Sequence, residues 1–514
     1  MNPQDPGYIT DVVYTDNYYE QLGPVTINYV AALNGIQPRD LTDFDYCEVG
    51  CGQGLSLLVH AAAHPQGRFV GIDLNAEHIR RASTRANAAG IDNLKLIAEP
   101  VTDALTDSGL PDFDFIVLHG VYSYLPESAR QAVLHFIDRR LKTGGVVLIS
   151  YNALPGWAAR MPLRTIMREF ALPRAQGSLE RVELGLSYLR LMLNAGVPMF
   201  QLHPELRKYA ESLFELDRRY IAHEFFHDIQ NAYPVDAVAA EMSNRGLAFA
   251  GTLPLWQNHV EADVPERLTA FFAEFPDRIA REVHKDFIYN TVFRTDLYVR
   301  QDPAHPDPGR ARALWNMPFR AADGAPPAER SVRRGNLDVP LDTAQGLTLI
   351  GLLAGHNRTL SDLHGHPGLS ALAAEDLVTT LCWWVLSGRV RPVAPPVPEP
   401  VSTAAARLNQ VLLAEAFRQP DAAETWLVSP RFGCAFAFDK SRSLALCALT
   451  ADDGTTGVTP GARLSALMTR CGLHLEDEGH PLPPDRVEQL ARDLQDELRT
   501  NGTFDQARQL GILA

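Results

Sequence analysis

Hydrophobic and polar positions in the first 260 residues switch between two periods. Short apolar runs read as buried strands at residues 44–49 (FDYCEV), 69–74 (FVGIDL), 93–99 (NLKLIAE), 114–120 (DFIVLHG), 144–152 (GGVVLISYN) and 247–253. Helix-period segments lie between them. Residues 55–63 form a compact apolar helix, residues 127–141 place Val133, Ile137 and Leu141 four apart, and residues 235–245 are helical again. Strands alternating with helices predict an α/β fold with a doubly wound, Rossmann-like parallel sheet. Residues 155–233 carry no strand pattern. "LERVELGLSYLRLMLNAG" and "LHPELRKYAESLFELDRRYIAHEFF" are helical in period, so a helical insertion is expected over the substrate side, as a lid or recognition element.

The pattern changes after about Gln257. A helical stretch runs to Asn290 and is followed by a Pro/Arg/Ala-rich connection, residues 301–338. Short helices and a "GRVRPV" strand in residues 340–393 suggest a winged-helix-like module. "RPVAPPVPEP" (residues 391–400) is a stiff proline linker. The expected organisation is a Tyr-rich N-terminal lid segment (1–35), a sheet domain (36–260), a helical and connecting region (261–338), a winged-helix-like module (339–393) and a C-terminal α+β domain (401–514). The sheet is expected to close near Leu255. The distance along the chain predicts that removing everything beyond Arg391 leaves ligand affinity at the first strands nearly intact.

The candidate chemistry is in "FDYCEVGCGQGLSLLVHAAAHPQGRFVGIDLN", residues 44–75. Gly50, Gly52 and Gly54 form a bare turn at the carboxyl end of the first strand, where ligands bind in open α/β sheets. Asp73 ends the second strand, placed to accept hydrogen bonds from ribose hydroxyls. Glu48 precedes the first glycine. An acid is a poor neighbour for a dinucleotide pyrophosphate, but it suits the ammonium or sulfonium of S-adenosylmethionine. A Gly-rich turn without a ligand is the bland alternative.

Four stretches together resemble class I methyltransferases: the Glu48–Gly54 loop, Gly71-Ile72-Asp73, "FDFIVLHGVYSYLP" (113–126) and "LKTGGVVLISYNALPGW" (141–157). "YIAHEFFHD", "DFIYNTVFRTDLYVR", "PLDTAQGLTLIGLLAG" and "WLVSPRFGCAFAF" extend the likeness along nearly the whole chain. They are similar to bacterial methyltransferases that carry a methyltransferase regulatory domain, a group that includes the rickettsial-type protein lysine methyltransferases. The resemblance implies S-adenosylmethionine as cofactor. It places Tyr14, Glu48, Gly50, Cys51, Gly52, Gly54, Asp73, Leu74, Pro100, Val101, His119 and Gly120 around it, with Leu74 over adenine. Adenine usually meets an acid just after the third strand in this fold, whereas this chain has Pro100 and Val101 there, with Asp103 following.

His119, Tyr122 and Tyr124 follow the fourth strand, beside the expected methyl group, as candidates for orienting or deprotonating an acceptor. The bland reading is that His119 only positions the cofactor, and positioning alone supplies much of such catalysis. "HEFFH" (223–227) matches H-E-x-x-H, which on a helix puts both histidines on one face. No third ligand is evident, so no metal is expected. His223 and Glu224 are better read as facing the substrate channel, or as a structural pair. Cys47 and Cys51 read as buried small residues. Arg310, Arg312, Arg320, Arg330, Arg333 and Arg334 make a basic connection whose plainest reading is a solvated linker.

Bulk properties narrow the partners. The 514 residues are 46% hydrophobic, enough for several packed cores. A net charge of −15 argues against a nucleic-acid backbone and is compatible with a basic substrate. The start, MNPQDPGY, lacks a basic and apolar leader, no apolar run approaches membrane-spanning length, and six cysteines do not make a disulfide framework. A cytoplasmic enzyme is expected, and the appended modules could bind a large substrate, form a homodimer interface or brace the lid. The expected reaction is methyl transfer to a protein lysine. The alternatives are O- or N-methylation of a small metabolite and, outside enzymology, a cofactor-sensing scaffold.

Overall fold

A computed structural model describes residues 8–104, 109–259, 264–272, 274–275, 277–302, 307–322, 331–334, 337–394, 403–419, 423–450, 459–473, 476–477, 480–500 and 502–512. Seven strands make the central sheet: β1 (Phe44–Val49), β2 (Gly67–Ile72), β3 (Leu94–Ile97), β4 (Phe113–Leu118), β5 (Leu141–Asn152), β6 (Leu247–Leu253) and β7 (Phe293–Arg300). Their order is β3-β2-β1-β4-β5-β7-β6. β1 to β5 pair in parallel, and β7 runs antiparallel to both β5 and β6.

Alternate residues on each strand feed two separate cores, as the two-residue period requires. Tyr46, Phe69, Phe115, Val117 and Leu148 face the helices Leu55–Ala63 and Ala76–Ala89. Cys47, Val70, Ile116, Leu118 and Ile149 face Glu127–Arg140 and Val235–Ser243. The sheet is thus covered on both sides, and its β1, β2 and β4 carboxyl ends open on one edge.

The sheet does not close near Leu255. β7 enters between β5 and β6, so the sheet domain extends to Arg300. Its sequence, FRTDLYVR, places charged residues where a buried strand normally has apolar ones. Arg294, Thr295 and Asp296 are nonetheless buried, because the Arg294 guanidinium donates to Asp296, Asp286 and Glu282 together. Residues 155–233 form the expected helical insertion, whose own core of Leu163, Met167, Leu186, Leu189, Phe200 and Phe225 also takes in Ile9 and Val12.

Residues 301–338 are not a plain linker: helix Arg310–Trp315 and strands Phe319–Ala321 and Ser331–Arg334 lie there, carrying Arg310, Arg312, Arg320, Arg333 and Arg334. Arg330 and the proline run 395–400 lie outside the described residues. Three helices (Ala344–Leu353, Leu360–His364 and Ala374–Leu386) pack with the antiparallel pair Phe319–Ala321 and Val390–Pro392 around Trp384. Beyond them, helix Thr403–Arg418 packs against Ala76–Ala89, and one core joins the two. Arg85 pairs with Asp16 at 2.5 Å and with Glu415 at 2.7 Å. Tyr18 Oη accepts from Ala435 N–H at 2.9 Å, and Arg391 pairs with Glu20 at 2.5 Å. The C-terminal part therefore supports the helix and the N-terminal segment that border the cleft, despite its distance along the chain. No helix among the described residues is long and apolar enough to cross a membrane.

Candidate active site

The Gly loop is shaped by two constraints. At Gly50, φ is +74°, and a Cβ would lie 2.2 Å from Val121 Cγ2, so the loop can approach the end of β4 only with glycine there. At Gly52, φ is +55° and a Cβ would meet nothing within 4 Å, which leaves that side of the loop open to a ligand. Gly54 is the left-handed residue before helix Leu55–Ala63. Gly120, across the cleft, is exposed with similarly open surroundings.

Two acids meet at the loop. Glu48 is buried and its Oε2 has no hydrogen-bond partner; burial first, and then the nearby Asp73 charge, push its pKa up to about 8. A buried carboxyl without a partner is costly, and a cationic ligand group would remove that cost. Asp73 Oδ2 accepts from Gly52 N–H at 2.8 Å, and Oδ1 accepts from Asn75 N–H at 2.8 Å. His78 Nδ1 lies 3.2 Å from Oδ1. A carboxylate has about four acceptor positions, so the one left over, on Oδ2, suits a single ribose hydroxyl. Leu74 is an exposed apolar side chain just beyond, and half-buried Pro100 and Val101 stand at the end of β3. An unpartnered acid, an aimed carboxylate, an open glycine and an exposed leucine fit the ammonium, ribose and adenine of S-adenosylmethionine.

On the other side, His119 Nδ1 lies 3.0 Å from Ser150 Oγ, which also accepts Gly120 N–H at 2.8 Å. Burial pushes the His119 pKa down to about 4, so the ring is neutral at pH 7. Tyr19 packs on it at 4.4 Å between ring centroids and Phe293 at 5.8 Å. Tyr124 and Tyr14 both donate hydroxyls to the Glu224 carboxylate, Tyr14 at 3.4 Å. Gln230 holds the Glu224 carbonyl at 2.7 Å. Burial raises the Glu224 pKa; the tyrosine hydrogen bonds and Arg160 oppose that.

The candidates therefore separate. Tyr124 and Glu224 are joined with Tyr14 by hydrogen bonds, and His119 packs on Tyr19. Tyr122, two residues from Tyr124, turns into the opposite core, where its hydroxyl meets Glu241 and Arg130. His223 Nε2 donates to Val12 O at 2.8 Å and so holds the N-terminal segment. His227 lies past the end of helix Arg218–Phe225, so the two histidines do not share a helical face; their rings are 5.7 Å apart. Among the described residues no group of three His, Cys, Asp or Glu side chains forms a metal site. Cys47 belongs to one sheet core and Cys51 to the other. Nothing in the local pattern marks His78, Gln53 or Ser150: each is a single polar residue, and the main-chain group it meets in the site is 30 or more positions away.

Residues 47–147 match a methyltransferase domain, and residues 217–300 match a predicted methyltransferase regulatory domain. The chain carries a methyltransferase domain. That domain is an enzyme domain, and S-adenosylmethionine is its methyl donor. The structure of PKMT2 from Rickettsia typhi in complex with AdoHcy is similar in fold, with a TM-score of 0.64 at 19% identity, over 95% of this chain and 99% of that one. The protein sll1526 of Synechocystis is 35% identical over 314 residues, 61% of this chain and 62% of that protein. RP789 of Rickettsia prowazekii is 27% identical over 59% of this chain and 53% of that protein. The chain thus spans less than two thirds of the length of these two relatives.

A cationic ligand group placed beside Glu48 predicts a pH dependence of cofactor binding with a definite sign. A cationic group beside it favours the ionised carboxylate, so binding below about pH 8 must release the Glu48 proton. Affinity for S-adenosylhomocysteine should rise about tenfold per unit as pH rises from 6 towards 8. It should then level off or fall, because the ligand's own amino group loses charge in the α-amino range, roughly 7.7–8.0. Titration calorimetry across this range checks it: Glu48→Gln should remove the rising limb and cost about 1–3 kcal/mol at pH 8.

Proposed function

We propose that the protein methylates a lysine amine of a protein substrate, in the cytoplasm. The observation that carries this reading is the Glu224 carboxylate, held by Tyr14 and Tyr124 hydroxyls and close enough to Tyr19, the ring that packs on His119, for its charge to act there. A lysine ammonium, with an ordinary pKa of about 10.4, must lose a proton before its nitrogen can attack. Glu224 is placed to draw the ammonium in and to accept that proton. Surrounding tyrosine rings favour a cation over their faces, and a neutral His119 does not repel it. Glu48, Asp73 and Leu74 orient the cofactor, whose sulfonium supplies the methyl group when bound. Tyr19 and Phe293 pack on His119 and so fix its ring. His223 supports the pocket through Val12 rather than by touching the acceptor. The likeness to rickettsial-type protein lysine methyltransferases supports a protein acceptor, as does the net charge of −15.

The N-terminal segment and the helical lid enclose Glu224, and this favours a second reading, N- or O-methylation of a small molecule. The two are separated by incubating the protein with methyl-labelled S-adenosylmethionine, a panel of basic proteins and a metabolite extract. Label on lysine side chains supports the first reading. Label confined to small molecules overturns it in favour of the second.

A further inference from the structure

Residues 8–19 cross the cleft as an extended strap. Ser178 of the lid donates to Asp11 twice, at 2.9 and 2.6 Å, His223 holds Val12 O, and Arg85 holds Asp16. At Tyr14 the anchoring changes character. Tyr14 N–H donates to His78 Nε2 at 3.2 Å, and Gln53 of the Gly loop donates to Tyr14 O at 2.6 Å. Both main-chain groups of this residue are thus held by the cofactor cradle, while its side chain reaches Glu224 in the acceptor pocket.

We propose that His78 is a positioning residue that makes cofactor binding assemble the acceptor pocket, acting through Tyr14. The inference rests on the methyltransferase reading above. The hydrogen bonds fix the ring's tautomer: Nε2 accepts from Tyr14 N–H, so the proton is on Nδ1, which donates to Asp73 Oδ1. The ring is fully buried, with one nitrogen on each side of the connection. A ribose hydroxyl bound to Asp73 Oδ2 fixes the carboxylate, the carboxylate fixes the imidazole, and the imidazole fixes the peptide at Tyr14. Tyr14 Oη then steadies Glu224 Oε1, opposite Tyr124 on Oε2. By reciprocity, whatever orders the strap also tightens cofactor binding. The enzyme should therefore bind cofactor before acceptor.

A histidine that only fills the core would not transmit occupancy, and amide substitutions separate the two roles. His78→Asn keeps an amide near the Nδ1 position for Asp73 and withdraws the acceptor for Tyr14. His78→Gln places its amide near the Nε2 position and so restores that acceptor. Hydrogen exchange of strap peptides is measured with and without saturating S-adenosylhomocysteine, alongside calorimetry and steady-state kinetics. In the wild type the nucleoside should slow strap exchange about tenfold. His78→Asn should still bind it, more weakly by no more than the coupling itself, about tenfold, yet lose that slowing, and its acceptor KM should rise about tenfold. His78→Gln should recover part of the slowing. Gln53→Ala, which removes the other grip on Tyr14, should also weaken the coupling and serves if His78→Asn does not fold. Strap slowing in His78→Asn equal to wild type overturns the proposal, as does a wild type that binds the nucleoside without slowing. A wild type that binds no nucleoside overturns the methyltransferase reading and the proposal with it.

Discussion

Glu224→Gln should lower kcat by about 10²- to 10⁴-fold, the range for losing a positioned general base, while S-adenosylhomocysteine affinity changes little. The amide keeps the shape: its oxygen accepts from one of the Tyr14 and Tyr124 hydroxyls and its NH2 donates to the other, so the pocket should stay assembled, but it cannot take a proton. The pH profile provides a second check. Burial raises the Glu224 pKa, so wild-type kcat should fall as pH drops through that raised value, and above it the carboxylate is ionised and active. In Glu224→Gln this acid limb should vanish along with most of the rate. Tyr124→Phe removes one of the two donors that hold the carboxylate, and should cost less, about tenfold. Single-turnover measurement with saturating cofactor reads these effects on chemistry alone. A Glu224→Gln enzyme with near-normal single-turnover rate would show that positioning, not proton acceptance, drives the reaction.

Much of the sheet was readable because apolar runs, glycines and the Asp73 strand end act locally. Residues 115–118 are an unbroken apolar run, residues 44–49 carry Phe44, Tyr46, Cys47 and Val49, and the Gly50–Gly54 turn has a backbone reason to be there. β7 was not readable for a physical reason. Arg294 and Asp296 sit on the same face two residues apart, a pattern that normally marks a solvated edge, and their burial is made tolerable by their own pairing together with partners distant in the chain, the acids of helix Arg278–Tyr289 and the Tyr151 and Thr252 hydroxyls. Its antiparallel insertion between β5 and β6 also breaks the chain order that an alternating pattern suggests. In the site, the sequence treated Tyr122 and Tyr124 alike. The single turn at Tyr122–Tyr124 sends one to Glu241 and the other to Glu224. His78 had no legible role because the group that defines it, Tyr14 N–H, is 64 residues away and belongs to the main chain. Likewise the support that helix Thr403–Arg418 gives to Ala76–Ala89 depends on packing, which distance along the chain does not predict.

The buried cluster that disguised β7 carries the second large expected effect. Arg294 is 3% exposed in its side chain and donates to Asp296 at 2.9 and 2.8 Å, to Asp286 at 2.7 Å and to Glu282 at 3.0 Å. Tyr151 and Thr252 add hydroxyls to Asp296 at 2.6 and 2.7 Å, and Lys285 and Arg278 reach Glu282 from its other side. Arg294→Met preserves most of the volume but leaves Asp296 and Asp286 without their cation, so it should cost about 3–5 kcal/mol, the range for breaking a buried pair from one side. Arg294→Lys keeps the charge and cannot reach three carboxylates with one ammonium, so it should recover only part. Native-state hydrogen exchange at β7 amides measures this locally, without requiring the whole chain to unfold in one step. The loss should also depend on pH in a defined direction. Burial already raises the Asp286 pKa to about 6 even with Arg294 present, and removing the guanidinium raises it further. A folded-state pKa above the unfolded value means that the fold gains stability as pH falls through it. The deficit of Arg294→Met should therefore be largest near pH 8 and shrink towards pH 5. A deficit below about 1 kcal/mol, or one that does not change with pH, would mean that the acids find other partners and that the cluster is not what holds β7 between β5 and β6.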